Sequence, residues 1–291
     1  MSMLKSLFTK ALLFLPFIAA PALAEPQVWL AQKQQRQFIL LGSIHAGKSA
    51  LYPLPQVFWD HWPEANGLIV EADILKPADV SLNRDLPTSE TLLSKQEKRQ
   101  LRDIAEQTQL PYLSLLHSPP WLAAIQLQNV MATQAGLSAE QGIDITLLHR
   151  AKAENKPIFE LESLRQQLAM MENLPDHGQS LLRTTLYDWQ DMQAQLQCML
   201  SAWQHGDHHQ MQQLLEDSRY SDPTDHLLID QRNHDWTTQL SESPAYHQGS
   251  FLVVVGAMHL IGPSGVPSLL QQKGFIVTQL SQSQSSSCAP N

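Results

Sequence analysis

Two short apolar runs that each end in Gly-x-x-His limit what this chain can fold into more than any other feature: residues 38–45 (FILLGSIH) and 251–259 (FLVVVGAMH). Each run is apolar, the second rich in β-branched residues, and too short for an ordinary helix. Each therefore reads as a buried strand that breaks at a glycine, Gly42 or Gly256, and sets a histidine, His45 or His259, just past its end. Glycine there lets the backbone turn sharply and lets a ligand approach the main chain.

Two further runs have the same design with a carboxylate at the end: residues 67–71 (GLIVE), closing on Glu71, and 157–162 (PIFELE), closing on Glu162. If the four strands lie parallel in one sheet, His45, Glu71, Glu162 and His259 emerge together at its carboxyl edge, where open α/β sheets bind ligands. Histidine and glutamate together can ligate a metal or act as general acid and base. A lone strand-end histidine would more often be structural, so the convergence of four residues carries the site hypothesis.

Residues 1–24 read as a secretory signal: Lys5 and Lys10 precede an apolar stretch, and Ala22-Leu23-Ala24 supplies a cleavage site. With Pro16 and Pro21 inside it, that stretch falls short of a membrane span. The expected product starts at Glu25 in the periplasm or outside the cell, without a stable membrane anchor. Cleavage removes two of the 19 basic residues against 28 acidic ones and takes the formal charge from −9 to −11. No basic cluster of the kind that nucleic acid requires is present. Cys198 and Cys288 are the only cysteines, and an oxidising compartment would let them pair, although sequence cannot give their separation.

In chain order, residues 28–32 and 37–41 flank a polar turn and predict a hairpin, which makes the sheet mixed. Residues 51–62 carry apolar groups at helical spacing. Helices are expected over 89–108, 120–134 and 138–154, the last with a capping box from Ser138 to Gln141. More helices fill 163–241, and a helix at 266–273 and a strand at 275–280 close the pattern. The expected fold is α/β: a central mixed, mostly parallel sheet flanked by helices, with a helical insertion or cap, in one domain over residues 25–280. The Ser/Gln-rich residues 281–291 read as a flexible tail.

Other candidates are weaker. Asp73 shares a strand side with Glu71 and could be a ligand or supporting acid, or an exposed loop acid. Asp144 has helix-dipole stabilisation as a sufficient explanation. Arg232 shares a helix face with Leu228, Trp236 and Leu240, so it either needs a carboxylate or an anionic ligand in the core or snorkels at the surface. His205, His208 and His209 flank a Gly-Asp break and read as a solvated turn. No His-Glu-x-x-His, phosphate-binding glycine loop or Gly-x-Ser-x-Gly occurs.

At these residues the chain resembles the TraB/GumN (PrgY, TIKI-like) family. The motifs are LLGSIH (40–45), LYPLP (51–55), LIVEAD (68–73), Gly142-Ile-Asp144, Leu161-Glu-Ser163 with Gln167-Leu168, Trp203 through Gly206-Asp207, Arg232-Asn233 and VGAMHL (255–260). The resemblance implies a relationship to erythromycin esterase and ChaN-like proteins. It also implies a metal-dependent hydrolase, foremost a peptidase, with manganese or cobalt held by His45, Glu71 and His259. Glu162 would then be a further ligand or general base, and Arg232 would stabilise an oxyanion or orient a carboxylate. The substrate would be a peptide or small molecule. A metal-free His/Glu esterase with the same residues is a variant of that reading, and a non-catalytic protein that binds haem, a metal or a peptide signal, linked to pheromone shutdown, conjugation or exopolysaccharide clusters, is the alternative. Ser43 and Met258 stand where the family often has threonine and a small residue, which would reshape the pocket.

Overall fold

The computed structural model describes residues 24–218 and 222–288, so all but the last residue of the expected signal lies outside the described residues. Six strands form one mixed sheet: β1 (Val28–Lys33), β2 (Arg36–Ser43), β3 (Gly67–Val70), β4 (Ile158–Glu160), β5 (Gly249–Gly256) and β6 (Ile276–Gln279). Their order is β4-β3-β5-β2-β1-β6. β4, β3, β5 and β2 pair in parallel, while β1 runs antiparallel to both β2 and β6. The fold is α/β, as the strand and helix pattern predicts.

The central strands are apolar on both faces because both faces are covered. Ile39, Leu41, Leu68, Val70, Leu252 and Val254 enter a core shared with the helix Ile143–Ala153 and with Leu200 and Trp203. Their neighbours Phe38, Leu40, Ile69, Phe251, Val253 and Val255 enter the opposite core, closed by Trp236 and Leu240 and by Val266 and Leu270. A third core, built from Leu101, Leu115, Trp121, Leu127, Leu182 and Trp189 among others, holds the helices inserted between β3 and β4 against those that follow β4.

The helix expected over 138–154 begins later, at Ile143, and Ser138 makes no side-chain cap. Backbone pairing displaces the capping box: Ser138 and Gly47 exchange N–H···O bonds of 2.8 and 2.9 Å, and the Ile143 N–H donates to the Ile44 carbonyl at 3.0 Å. Residues 138–143 are thereby fastened along the loop that carries His45. Capping boxes form at Ser94 with Glu97 and at Ser163 with Gln166. The first of these splits the helix expected over 89–108 into Ser89–Leu92 and Lys95–Thr108.

Cys198 and Cys288 form a disulfide. Within the stretch whose composition reads as a flexible tail, Ser286 also bonds Asp207 through its N–H at 2.6 Å and its hydroxyl at 3.0 Å, and the Gln284 N–H bonds the His205 carbonyl at 2.9 Å. The bridge joins residues 90 apart, so it removes a large loop-closure entropy from the unfolded chain. Cys198→Ser is expected to lower unfolding free energy by about 2–4 kcal/mol in denaturant titration, and reducing agent should have no further effect on that variant.

Candidate functional site

The strand order sets the site. β5 inserts between β3 and β2, so the segment after it falls between the ends of its neighbours. Across the carboxyl edge the order is therefore Glu162 beyond β4, Glu71 at the end of β3, His259 beyond β5 and His45 beyond β2. Three of these groups converge over Gly256. The point a β-carbon on Gly256 would occupy lies 3.3 Å from Glu71 Oε1, 3.4 Å from His259 Cδ2 and 3.5 Å from His45 Nε2. Any side chain at this position would sit inside the cluster, which accounts for the glycine without appeal to an unusual φ.

Arg232, from the helix Gln231–Glu242, lies at the centre of the cluster. Nε–H donates to Glu162 Oε1 at 3.0 Å, Nη2 donates to Glu71 Oε2 at 2.5 Å and to Glu162 Oε1, and Nη1 donates to the Leu228 carbonyl at 3.2 Å and to His259 Nε2 at 3.1 Å. All five guanidinium protons are thus engaged. The guanidinium also lies 4.5 Å from the Trp236 ring centroid, so one of its faces is covered too. Gln167 Nε2 adds bonds to Glu162 Oε1 at 3.1 Å and to Glu71 Oε2 at 3.4 Å.

These contacts set the charge states. Burial alone would raise the Glu71 carboxyl, but His259, Arg232, His45 and the Gly256 N–H at 2.7 Å outweigh it, and Glu71 is held down at about 2. His259 is pushed down to about 3, chiefly by burial and further by Arg232 and His45, and against the pull of Glu71. Its neutral tautomer follows from its partners. Asn233 Oδ1 accepts from Nδ1–H at 2.7 Å, and Nε2 keeps the lone pair that faces Arg232. Asn233 is itself oriented by its Nδ2–H bond to the Ser264 carbonyl at 2.8 Å.

His45 is the opposite case. Its side chain is 69% exposed, and its Nδ1 lies 2.9 Å from Asp144 Oδ2. The other Asp144 oxygen accepts from the Ser43 hydroxyl at 2.6 Å. The Asp144 charge and hydrogen bond raise His45 to about 9, so at neutral pH it carries a proton on both nitrogens and Nε2–H faces the cluster. Gly142 makes this pair possible: a β-carbon there would lie 2.1 Å from the His45 carbonyl oxygen, so only glycine lets the helix bearing Asp144 come this close.

His45, Glu71, Glu162, Arg232 and His259 are all brought together, but their arrangement differs from a metal-ligand set. A divalent ion needs free lone pairs converging from its ligands. Here His259 Nε2 and Glu71 Oε2 accept from Arg232, Glu71 Oε1 accepts from Gly256, and His45 is held as an imidazolium. Among the described residues no group of three or more His, Cys, Asp or Glu is arranged to hold a metal ion. The residues do not fit manganese or cobalt in this arrangement, because the guanidinium already supplies the positive charge between the carboxylates. All five Arg232 protons are engaged within the cluster, and Glu162 Oε1 accepts from both Arg232 and Gln167.

Asp73 lies outside the cluster and is buried rather than an exposed loop acid. It pairs with Lys152 Nζ at 3.3 Å and accepts the Leu75 N–H at 3.1 Å. His205 and His208 bond elsewhere, to the Ser201 carbonyl at 2.8 Å and Gln27 Oε1 at 3.4 Å. Sequence reasoning gave Asp144 too little weight and assigned no role to Ser43, Gln167 or Asn233. Gly142 immediately ahead of a helix that starts with an acid was the available signal for close approach. Asn233 stands beside Arg232, and Gln167 four positions beyond the Ser163 cap.

Two outcomes test this geometry. In Asp144→Asn, His45 should titrate well below about 9, toward its ordinary value of 6.5, as read from imidazole C–H shifts in NMR. Arg232→Lys keeps the charge but has three donors in place of a planar fork, so it should lose nearly as much stability as Arg232→Ala, about 3 kcal/mol or more in denaturant titration. A lysine variant as stable as the parent would show that a point charge suffices.

A model of the TraB/PrgY/gumN family matches residues 27–279. Proteins named "Uncharacterized protein YbaP" from Escherichia coli (strain K12) and Shigella flexneri are each 34% identical over 249 residues, covering 84% of this chain and 92% of theirs. No solved structure gives a significant match. The Gly-x-x-His strand ends, the carboxylates beside them and the arginine that ties them together are thus carried by a chain that belongs to the TraB/PrgY/gumN family.

Proposed function

We propose that the protein is a hydrolase of acyl bonds, ester or peptide, that works through His45 and Glu71 without a bound metal, in the periplasm or outside the cell. The observation that carries this reading is the convergence of His45 Nε2 and Glu71 Oε1 over the Gly256 backbone, each within 3.5 Å of one point. Two neighbouring groups whose surroundings push their proton affinities in opposite directions supply an acid and a carboxylate for the same reaction. The Cys198–Cys288 bridge supports the oxidising compartment. The mixed sheet with its functional groups at the carboxyl edge supports keeping the erythromycin esterase and ChaN-like kinship as part of the proposal.

In this mechanism a water over Gly256 attacks the acyl carbon while Glu71 orients it and takes its proton. Because Glu71 is held at about 2, it is a weak base, and its main contribution is to stabilise positive charge on the attacking oxygen. His45 donates Nε2–H to the carbonyl oxygen as negative charge develops there. It then gives that proton to the leaving oxygen or nitrogen as the acyl bond breaks. The proton on Glu71 returns to His45 and restores the starting state. Arg232, Glu162 and Gln167 position Glu71, Asp144 and Ser43 position His45, and the neutral His259 holds Nη1 of Arg232 in place.

The test is kcat/KM on p-nitrophenyl acetate and on a peptide library as a function of pH. Activity should persist to about pH 9 and fall above it, as His45 loses its proton, and in Asp144→Asn the fall should move toward pH 6.5. His45→Ala should lose about 10²–10⁴-fold. Chelator treatment should leave the parent rate unchanged. Loss on chelation with recovery on added manganese or cobalt would overturn the metal-free reading.

A further inference from the structure

The loop after β2 and the segment that opens the helix Ile143–Ala153 are joined by backbone bonds, and His45 meets Asp144 where they touch. The Ile143 N–H donates to the Ile44 carbonyl at 3.0 Å, one residue before Asp144 on one side and one before His45 on the other, and Gly47 pairs with Ser138. Both connections lie ahead of Asp144 in the chain. They leave the helical turn that carries its carboxylate to be held from elsewhere. Tyr52, further along the same loop as His45, reaches that turn. Its hydroxyl lies 3.0 Å from the Gln141 carbonyl oxygen, 3.3 Å from that of Gly142 and 3.0 Å from Thr146 Oγ1. These partners bracket Asp144, with Gly142 before it and Thr146 after it. A phenol has one proton and two lone pairs, so the Tyr52 hydroxyl donates to the carbonyls and accepts the Thr146 proton.

We infer that Tyr52 is a positioning residue, which clasps the first turn of this helix and so keeps the Asp144 carboxylate against His45 Nδ1. The clasp is read from geometry alone, and its effect on turnover rests on the hydrolase reading. The Tyr52 ring packs against the sheet-side core, so the hydroxyl stands on a fixed base. The two stretches are shaped for close approach at the clasp: a β-carbon on Gly47 would lie 2.0 Å from the Gln141 carbonyl oxygen that Tyr52 binds. Precise placement matters because Asp144 must meet two partners at once, the Ser43 hydroxyl at 2.6 Å and His45 Nδ1 at 2.9 Å. A displacement of about 0.5 Å in the turn beneath it weakens such a constellation. Tyr52 itself touches neither His45 nor Glu71 through its hydroxyl; it acts through Asp144.

The test compares Tyr52→Phe, Thr146→Val and Asp144→Asn with the parent and adds the double variant Tyr52→Phe/Asp144→Asn. Phenylalanine keeps the packed ring and removes the hydroxyl bonds. In nitrogen NMR of the imidazole, the His45 Nδ1 resonance of Tyr52→Phe should move from its parent position toward that of Asp144→Asn. On p-nitrophenyl acetate, Tyr52→Phe should lose about threefold to tenfold in kcat/KM, the worth of one hydrogen bond, and should cost nothing further in the Asp144→Asn background. Thr146→Val removes one partner from the other side, should move both readouts the same way, and carries the test if circular dichroism shows that Tyr52→Phe does not fold. A His45 resonance that stays in place would overturn the inference. So would equal losses of kcat/KM in both backgrounds, the mark of a residue that only holds the fold together, or loss of the fold in both single variants. A resonance that moves while the parent turns over no ester or peptide would sustain the positioning role and overturn the hydrolase reading.

Discussion

The site depends on one buried guanidinium. Glu71 and Glu162 approach the same region from adjacent strands, and two carboxylates in that position would repel each other and resist burial unless a cation lay between them. Arg232 supplies that cation, and its planar fork does what a point charge could not: it meets both carboxylates, the lone pair of His259 and the Leu228 carbonyl at once. With every donor engaged, the arginine is fixed, and so is the ionised state of Glu71. The neutral state of His259 follows from the same contact, because protonating Nε2 would turn it toward another proton donor.

Around this fixed centre, His45 is the group free to act. It stands on the exposed side of the cluster and is supported from behind by a different part of the chain, the loop and helix that bring Gly142 and Asp144 against it. The site therefore combines a rigid, buried half contributed by β3, β4, β5 and the Arg232 helix with a half that faces solvent at the end of β2. The proposed hydrolysis uses this division, since its acid would have to reach substrate while the charges that tune it stay put.

The helical insertion packs its own core against the helices that follow β4. On the other side of the site, the Ser43 hydroxyl bonds Asp144 and so supports the partner of His45.

Local pattern was enough to mark the four strand ends, the histidines and glutamates on them, the mixed sheet and the apolar face that draws Arg232 inward, because strand burial and helix periodicity are written in consecutive residues. The family was legible for the same reason, through motifs a few residues long. Strand order was not, and strand order decides that His259 falls between Glu71 and His45. Nor could spacing reveal that Asp144, 99 residues beyond His45, is its partner, or that Cys288 returns to Cys198, since both depend on chain segments meeting only after folding. The largest change in reading came from the same source. The identity of the residues is compatible with metal ligation, but only the tertiary structure determines where their lone pairs point, and here those of His259 Nε2 and Glu71 Oε2 point at Arg232.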